Sequence, residues 1–143
     1  MLIAGIVAEY NPFHKGHGAL LQYCRECGAS HVVAVMSGNF VQRGEPALLS
    51  KHARAEMAVR NGVDLVIELP VYWALSGAEN FALGAVSLLA AAGCQRLCFG
   101  SECGDAGLLQ EAAAALLQQD FITETRERLK TGLSFAAARN QVW

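Results

Sequence analysis

Four short apolar runs, each followed by a stretch of helical spacing, constrain this chain more than any other feature. The runs are Leu2–Ala8, His31–Met36, Val63–Leu69 and Arg96–Gly100. They are rich in Val, Ile, Leu or Cys and bounded by Gly, Pro or Ser, and each has the length of a buried strand. The segment His17–Cys27 stops at Gly28, Ser50–Asn61 opens on a serine N-cap and stops at Gly62, and Glu79–Ala92 stops at Gly93. Strands that are apolar nearly throughout need cover on both faces, and alternating helices supply it. The expectation is an α/β three-layer, Rossmann-like fold with a parallel sheet over residues 1–104.

Past Gly100 the alternation ceases. Asp105–Gln119 and Asp120–Lys130, each opening on an aspartate as N-cap, predict a helical extension over 105–143. A third helical segment, Ser134–Trp143, has no C-terminal stop and finishes on Val142-Trp143, so the sequence reads as the N-terminal part of a longer protein.

Composition narrows the class. With 143 residues, 53% of them hydrophobic and 17% charged, and a mean hydropathy of +0.27, the chain can bury a core and is no disordered tail. Its longest apolar stretch, Phe81–Cys94, falls short of the ~20 residues that span a bilayer, and Glu79 and Arg96 flank it. No charged leader precedes the first run, which Glu9 interrupts, so neither a signal peptide nor a membrane role is expected and the cytoplasm is the default compartment.

Residues 1–60 hold six Lys or Arg against four Asp or Glu, and residues 61–143 hold five against nine. All four histidines fall within the first 52 residues, so a polyanion would meet the N-terminal part. The overall charge of −2 argues against strong nucleic-acid binding by this segment alone. Five cysteines is an odd count, and Cys24-Arg-Glu-Cys27 lacks a second CxxC. They read as buried thiols, with no metal held by the protein.

The chemistry gathers where the strands end. The first run leads into Glu9-Tyr10-Asn11-Pro12-Phe13-His14-Lys15-Gly16-His17, at the junction where open parallel sheets bind ligands. Gly16, lacking a Cβ, lets a phosphate approach the backbone, and His14 and His17 offer ring donors to the same anion. Two histidines three apart with a loop between them do not have the i, i+4 spacing of a helical metal pair. No GxxxxGK[ST] string exists, which excludes P-loop chemistry.

The second run leads into Ser37-Gly38-Asn39-Phe40-Val41-Gln42-Arg43-Gly44-Glu45-Pro46, a flexible crossover loop. Ser37, Asn39 and Arg43 are candidate substrate or phosphate contacts there, while Lys51 and Arg54 fit a solvated basic face. After the fourth run, Gly100 leaves room for a ligand ring and Ser101 is a further candidate contact. Glu68 is either ion-paired or directed at the site.

Four strings carry a resemblance beyond the H-x-G-H spacing. They are Gly5–His17, Val35–Ala47, Asn61–Pro70 and Leu97–Glu102, and in this order they resemble the bacterial tRNA(Met) cytidine acetate ligases. The resemblance covers about residues 1–102. It implies an H-x-G-H nucleotidyltransferase fold and a reaction in which ATP activates acetate as acetyl-adenylate. The acetyl group then passes to N4 of the wobble cytidine of elongator tRNA(Met). It implies ATP binding by Val7, Ala8, Glu9, Tyr10, Asn11, Pro12, Phe13, His14, Lys15, Gly16, His17, Gly18, Ala19 and Leu20, with a later contact at Gly100. His14 and His17 would be the catalytic donors, and Mg²⁺ would accompany ATP without a protein cage. Lys15 stands where relatives often have Asn, adding a positive charge beside the phosphates. Family members are much longer, with further nucleotide-contacting residues downstream.

Two other readings stand beside this one. One is a general adenylyl- or cytidylyltransferase acting on a phosphorylated metabolite, and the other is a nucleotide-binding module without complete catalysis.

Overall fold

The computed structural model describes all residues, Met1–Trp143, which form two compact units, Met1–Gly100 and Ser101–Trp143. The break falls just before the boundary expected after residue 104, because the chain leaves the sheet at Cys98.

The first unit carries four strands, β1 (Ile3–Ala8), β2 (His31–Ser37), β3 (Leu65–Leu69) and β4 (Arg96–Cys98). They form one parallel sheet in the order β3-β2-β1-β4. Its helices are α1 (Lys15–Glu26), α2 (Lys51–Arg60), α3 (Val71–Ala74) and α4 (Ala78–Ala91). Val63 and Asp64, expected in the third strand, precede it. The Val63 amide still donates to Ala58 at 3.1 Å and so belongs to the turn that ends α2.

Side chains on β2 alternate between two cores, as the twofold strand period requires. Val32, Ala34 and Met36 join Ile6, Leu21, Cys24 and Ala58 on one face, and Val33 and Val35 join Leu69, Ala85 and Leu89 on the other. Cys24 and Cys98 are buried and all five thiols are free. Burial pushes the Cys24 thiol up to about 12, helped by the neighbouring Cys98, so it packs as a small apolar group.

Two glycines permit the closest approach of helix to sheet and helix to helix. A Cβ on Gly5 would lie 2.9 Å from the Leu89 methyls, and one on Gly84 would lie 2.6 Å from the Trp73 ring. Trp73 belongs to α3, a single turn after Pro70 that is too short to leave a periodic signal in sequence.

The second unit is three helices, α5 (Ala106–Leu116), α6 (Gln119–Lys130) and α7 (Phe135–Val142). Asp105 caps α5 by accepting from the Gly107 and Leu108 amides at 2.8 and 3.1 Å. Asp120, expected as a cap, instead sits in the first turn of α6, whose N-cap is Gln118; there its charge still suits the helix dipole. Between α6 and α7, Phe121 meets Trp143 edge-on at 6.2 Å and Arg128 donates to Gln141 at 2.8 Å. No helix is long and apolar enough to cross a membrane.

Candidate functional site

The helix after β1 begins at Lys15, two residues earlier than the spacing predicts, because His14 caps it. His14 is extended, with φ −139° and ψ 175°, and its Nδ1 accepts from the Gly16 amide at 3.1 Å. In return His17 Nδ1 accepts from the His14 amide at 3.2 Å. This is a capping box built from two imidazoles where Ser and Glu are usual. A ring nitrogen that accepts carries no proton, so each neutral imidazole holds its proton on Nε2 and keeps that N–H as its free donor. The two rings stack at 3.7 Å with planes 24° apart.

The stack also explains Gly16. A Cβ there would lie 3.0 Å from His14 Cε1 and 3.1 Å from Nδ1, so any larger residue would push the ring folded over this position by a few tenths of an ångström. Close approach of a phosphate is the reason expected from the spacing, and the histidine ring is a second one.

Tyr10 supports the stack from below. It is buried and takes a left-handed φ of 46°, unusual for an aromatic residue. Its ring meets His17 edge-on at 4.9 Å and Phe13 at 5.1 Å. Burial, and then the nearby Cys24, push the phenol up to about 12, so it stays neutral. Burial also lowers the His17 pKa, and the charge of His14 lowers it further, which favours the neutral donor form at neutral pH. The Asn11–Pro12 peptide is cis.

These residues line a cleft of about 530 Å³. One wall is Val7–Pro12 with His14 and His17, a second is Gln42 and Arg43, and a third is Ala78 and Phe81 at the start of α4. First-turn amides of α1 that lack a helical acceptor add to the anion-binding character. The loop bearing Arg43, expected to be a flexible crossover, is a hydrogen-bonded hairpin. Phe40 bridges Pro46, Ala47 N–H donates to Asn39 O at 2.9 Å, Val41 N–H to Glu45 O at 2.9 Å, and Gly44 closes the tip with φ 83°.

Other candidate residues lie elsewhere. Gly18, Ala19 and Leu20 continue along α1 away from the cleft lining, and Phe13, Lys15 and Gly16 frame the histidines without lining it. Ser37 is fully buried with its Oγ unpartnered, because its side chain points into the packed interior. Asn39 lines a separate hollow of about 130 Å³ with Phe40 and Glu68. Glu68 is ion-paired with Lys51 at 2.7 Å. Gly100 ends the first unit and is exposed outside the cleft lining. Ser101 opens the second unit with its Oγ 3.1 Å from Cys103 Sγ.

Arg54 departs furthest from expectation. It is fully buried, and its guanidinium donates to the carbonyls of Glu9, Leu49, Ser37 and Gly38, the Leu49 and Ser37 bonds at 3.2 and 3.1 Å. Burial lowers its pKa, against which the fields of Glu9 and Glu68 act. Reasoning from sequence also missed Gln42, Ala78 and Phe81. Gln42 sat inside a string already singled out, whereas the helix start at Ala78 carries no polar group that would mark it. Glu9 is the one carboxylate lining the cleft, and no cluster of His, Cys, Asp or Glu could cage a metal.

A parallel sheet whose first strand feeds a histidine-capped helix, with an arginine hairpin facing the same cleft, is the layout of an enzyme that handles nucleotide phosphates. The chain belongs to the HIGH nucleotidyl transferase family, whose model matches residues 1–143. Among curated proteins it is similar to tRNA(Met) cytidine acetate ligases. It is 51% identical over 142 residues to that of Caldicellulosiruptor bescii, covering 97% of this chain and 36% of that protein. It is 52% identical over 145 residues to that of Syntrophotalea carbinolica, covering 99% of this chain and 35% of that protein. Among solved structures, Thermotoga maritima TmcAL bound with alpha-thio ATP superposes with a TM-score of 0.91 at 47% identity, covering 99% of this chain and 35% of that one. The chain thus spans about a third of the length of the relatives it matches.

Proposed function

We propose that this chain is the ATP-binding part of a tRNA(Met) cytidine acetate ligase. In the first step an acetate oxygen attacks the α-phosphorus of ATP, the bond to the β-phosphate oxygen breaks, and pyrophosphate leaves with the displaced electron pair. In the second, N4 of the wobble cytidine of elongator tRNA(Met) attacks the acetyl carbon, loses a proton and releases AMP.

The observation that carries this reading is the stacked histidine pair, whose Nδ1 atoms are both committed to backbone amides. Two fixed Nε2–H donors at a helix N-terminus suit the charge that builds on the α-phosphate and the departing pyrophosphate. Neither ring acts as a nucleophile. Arg43 supplies a guanidinium to the same phosphates, and the Val7–Pro12 segment lines the cleft that takes the nucleotide, with Gly100 as a later contact at the end of the first unit. The residues here make no cage for Mg²⁺, so a divalent ion would arrive on the triphosphate and keep mostly water and phosphate ligands. The identity of the relatives and the ATP analogue in the Thermotoga maritima protein support the choice of substrate.

Pyrophosphate exchange in the intact protein tests the proposal. Acetate-dependent exchange is expected, with His14→Ala and His17→Ala each losing about 2.7–4 kcal/mol of transition-state stabilisation. Exchange that requires a phosphorylated metabolite in place of acetate would point to the other transferase reading.

A further inference from the structure

The two polar walls of the cleft come from loops more than twenty residues apart, and side chains from the first loop hold the second. Glu9 Oε1 accepts from the Gln42 amide at 2.6 Å, beside Arg43 at the hairpin tip. Asn11 Oδ1 accepts from the Leu48 amide at 2.8 Å, at the hairpin base. Between these anchors the hairpin closes on itself through Val41, Gly44 and Ala47. Beneath both loops Arg54 donates to the carbonyls of Glu9, Ser37, Gly38 and Leu49, the points where each loop leaves or rejoins regular structure. A hairpin fixed at tip and base holds Arg43 in one place.

Glu9 is otherwise hard to explain. A carboxylate in a cleft meant for a triphosphate repels the ligand, yet this one is half-buried there. One of its oxygens is taken by an amide at charge-assisted distance, and the field of Arg54 offsets its charge. Asn11 likewise spends its side-chain oxygen on the second loop.

We propose that Glu9 and Asn11 are positioning residues, not nucleotide ligands: together they latch the 39–48 hairpin so that Arg43 faces the phosphates held by His14 and His17. The latch rests on reading the cleft as the nucleotide site, and its test separates the two claims.

Trypsin reads the latch without ATP, because the Arg43–Gly44 bond sits at the hairpin tip. In the intact protein, Glu9→Ala and Asn11→Ala should each speed cleavage at that bond about tenfold. Glu9→Gln, which keeps an oxygen acceptor, should stay resistant. ATP titration then reads the consequence. Arg43→Ala and Glu9→Ala should each weaken binding about tenfold, and the double variant should weaken it no further than either alone. Cleavage of Glu9→Gln as fast as that of Glu9→Ala would overturn the latch, as would multiplicative losses in the double variant. Should Glu9→Ala fail to fold, Asn11→Ala carries both measurements. If the unaltered protein shows no ATP binding, the nucleotide reading falls while the trypsin comparison still decides the latch.

Discussion

Two arginines grip backbone carbonyls at opposite ends of one sheet, and they do so differently. Arg25, on α1, donates to Ala29, Ser30 and Gly62 near the starts of β2 and β3, and pairs with Asp64 at 2.6 Å. Asp64 in turn accepts from the Val32 amide at 2.6 Å. Arg54, on α2, binds carbonyls alone at the strand ends and has no carboxylate within ion-pair distance. One staple is neutralised by a bonded carboxylate and partly exposed; the other is buried, and Glu9 and Glu68 act on it only through their fields. The contrast teaches that the strand starts are built to hold the sheet, while the strand ends are built to hold both the sheet and the loops that wall the cleft.

The largest break in this comparison should come from Arg54→Met, which leaves several buried carbonyls without a donor. A loss on the order of 3–5 kcal/mol is expected. Urea denaturation followed at Trp73, in a Trp143→Phe background, measures it within the first unit. Equal losses from Arg54→Met and Arg25→Met would erase the distinction.

At the cleft itself, Gly16→Ala should displace the His14 ring by a few tenths of an ångström. The expected effect is about tenfold on adenylation, measured as acetate-dependent pyrophosphate exchange. Arg25→Met should lose only about 1 kcal/mol by the same urea assay, because its ion pair is a third exposed on either side.

The smallest effect is one of pH. Burial raises the Asp64 pKa, but the Val32 amide and Arg25 outweigh it, so the carboxyl titrates below its ordinary value. Its stabilisation is therefore present above the unfolded carboxylate pKa and lost as pH falls through the lower folded one. Asp64→Asn should flatten that acid slope in stability measured against pH. His17, whose pKa burial lowers, should add a loss at milder acidity, below the ordinary imidazole pKa; His17→Gln should remove it.

The sheet was legible because β2 and its neighbours are runs of Val, Ile and Ala bounded by turn residues, and burial on both faces demands such runs. The glycine stops were legible for a local reason: Gly28, Gly62 and Gly93 all take positive φ where a helix ends. Asp120 misled because a first-turn aspartate and a capping one share the same preference. Arg54 was illegible since Lys51-His52-Ala53-Arg54 has the polarity of a solvent face, and only packing of α2 against the strand ends buries its fourth residue. At the site, the pattern disclosed that the two histidines stand together at the start of the first helix. It could not disclose that their Nδ1 atoms start the helix, nor that Glu9 and Asn11 reach a loop more than thirty residues away, because those contacts depend on three-dimensional closure.

The reciprocal histidine cap divides each five-membered ring between two duties: one nitrogen belongs to the backbone and the other to whatever lies in the cleft. His14→Asn or His14→Ser, and His17→Glu, could accept from the same amides without offering a ring N–H, so coded substitutions can part the two duties. A methyl group on Nε2 alone, introduced through a non-coded histidine analogue, would silence the donor and leave the helix start intact. A variant that keeps the helix start and loses only the outward N–H would therefore read the second duty by itself.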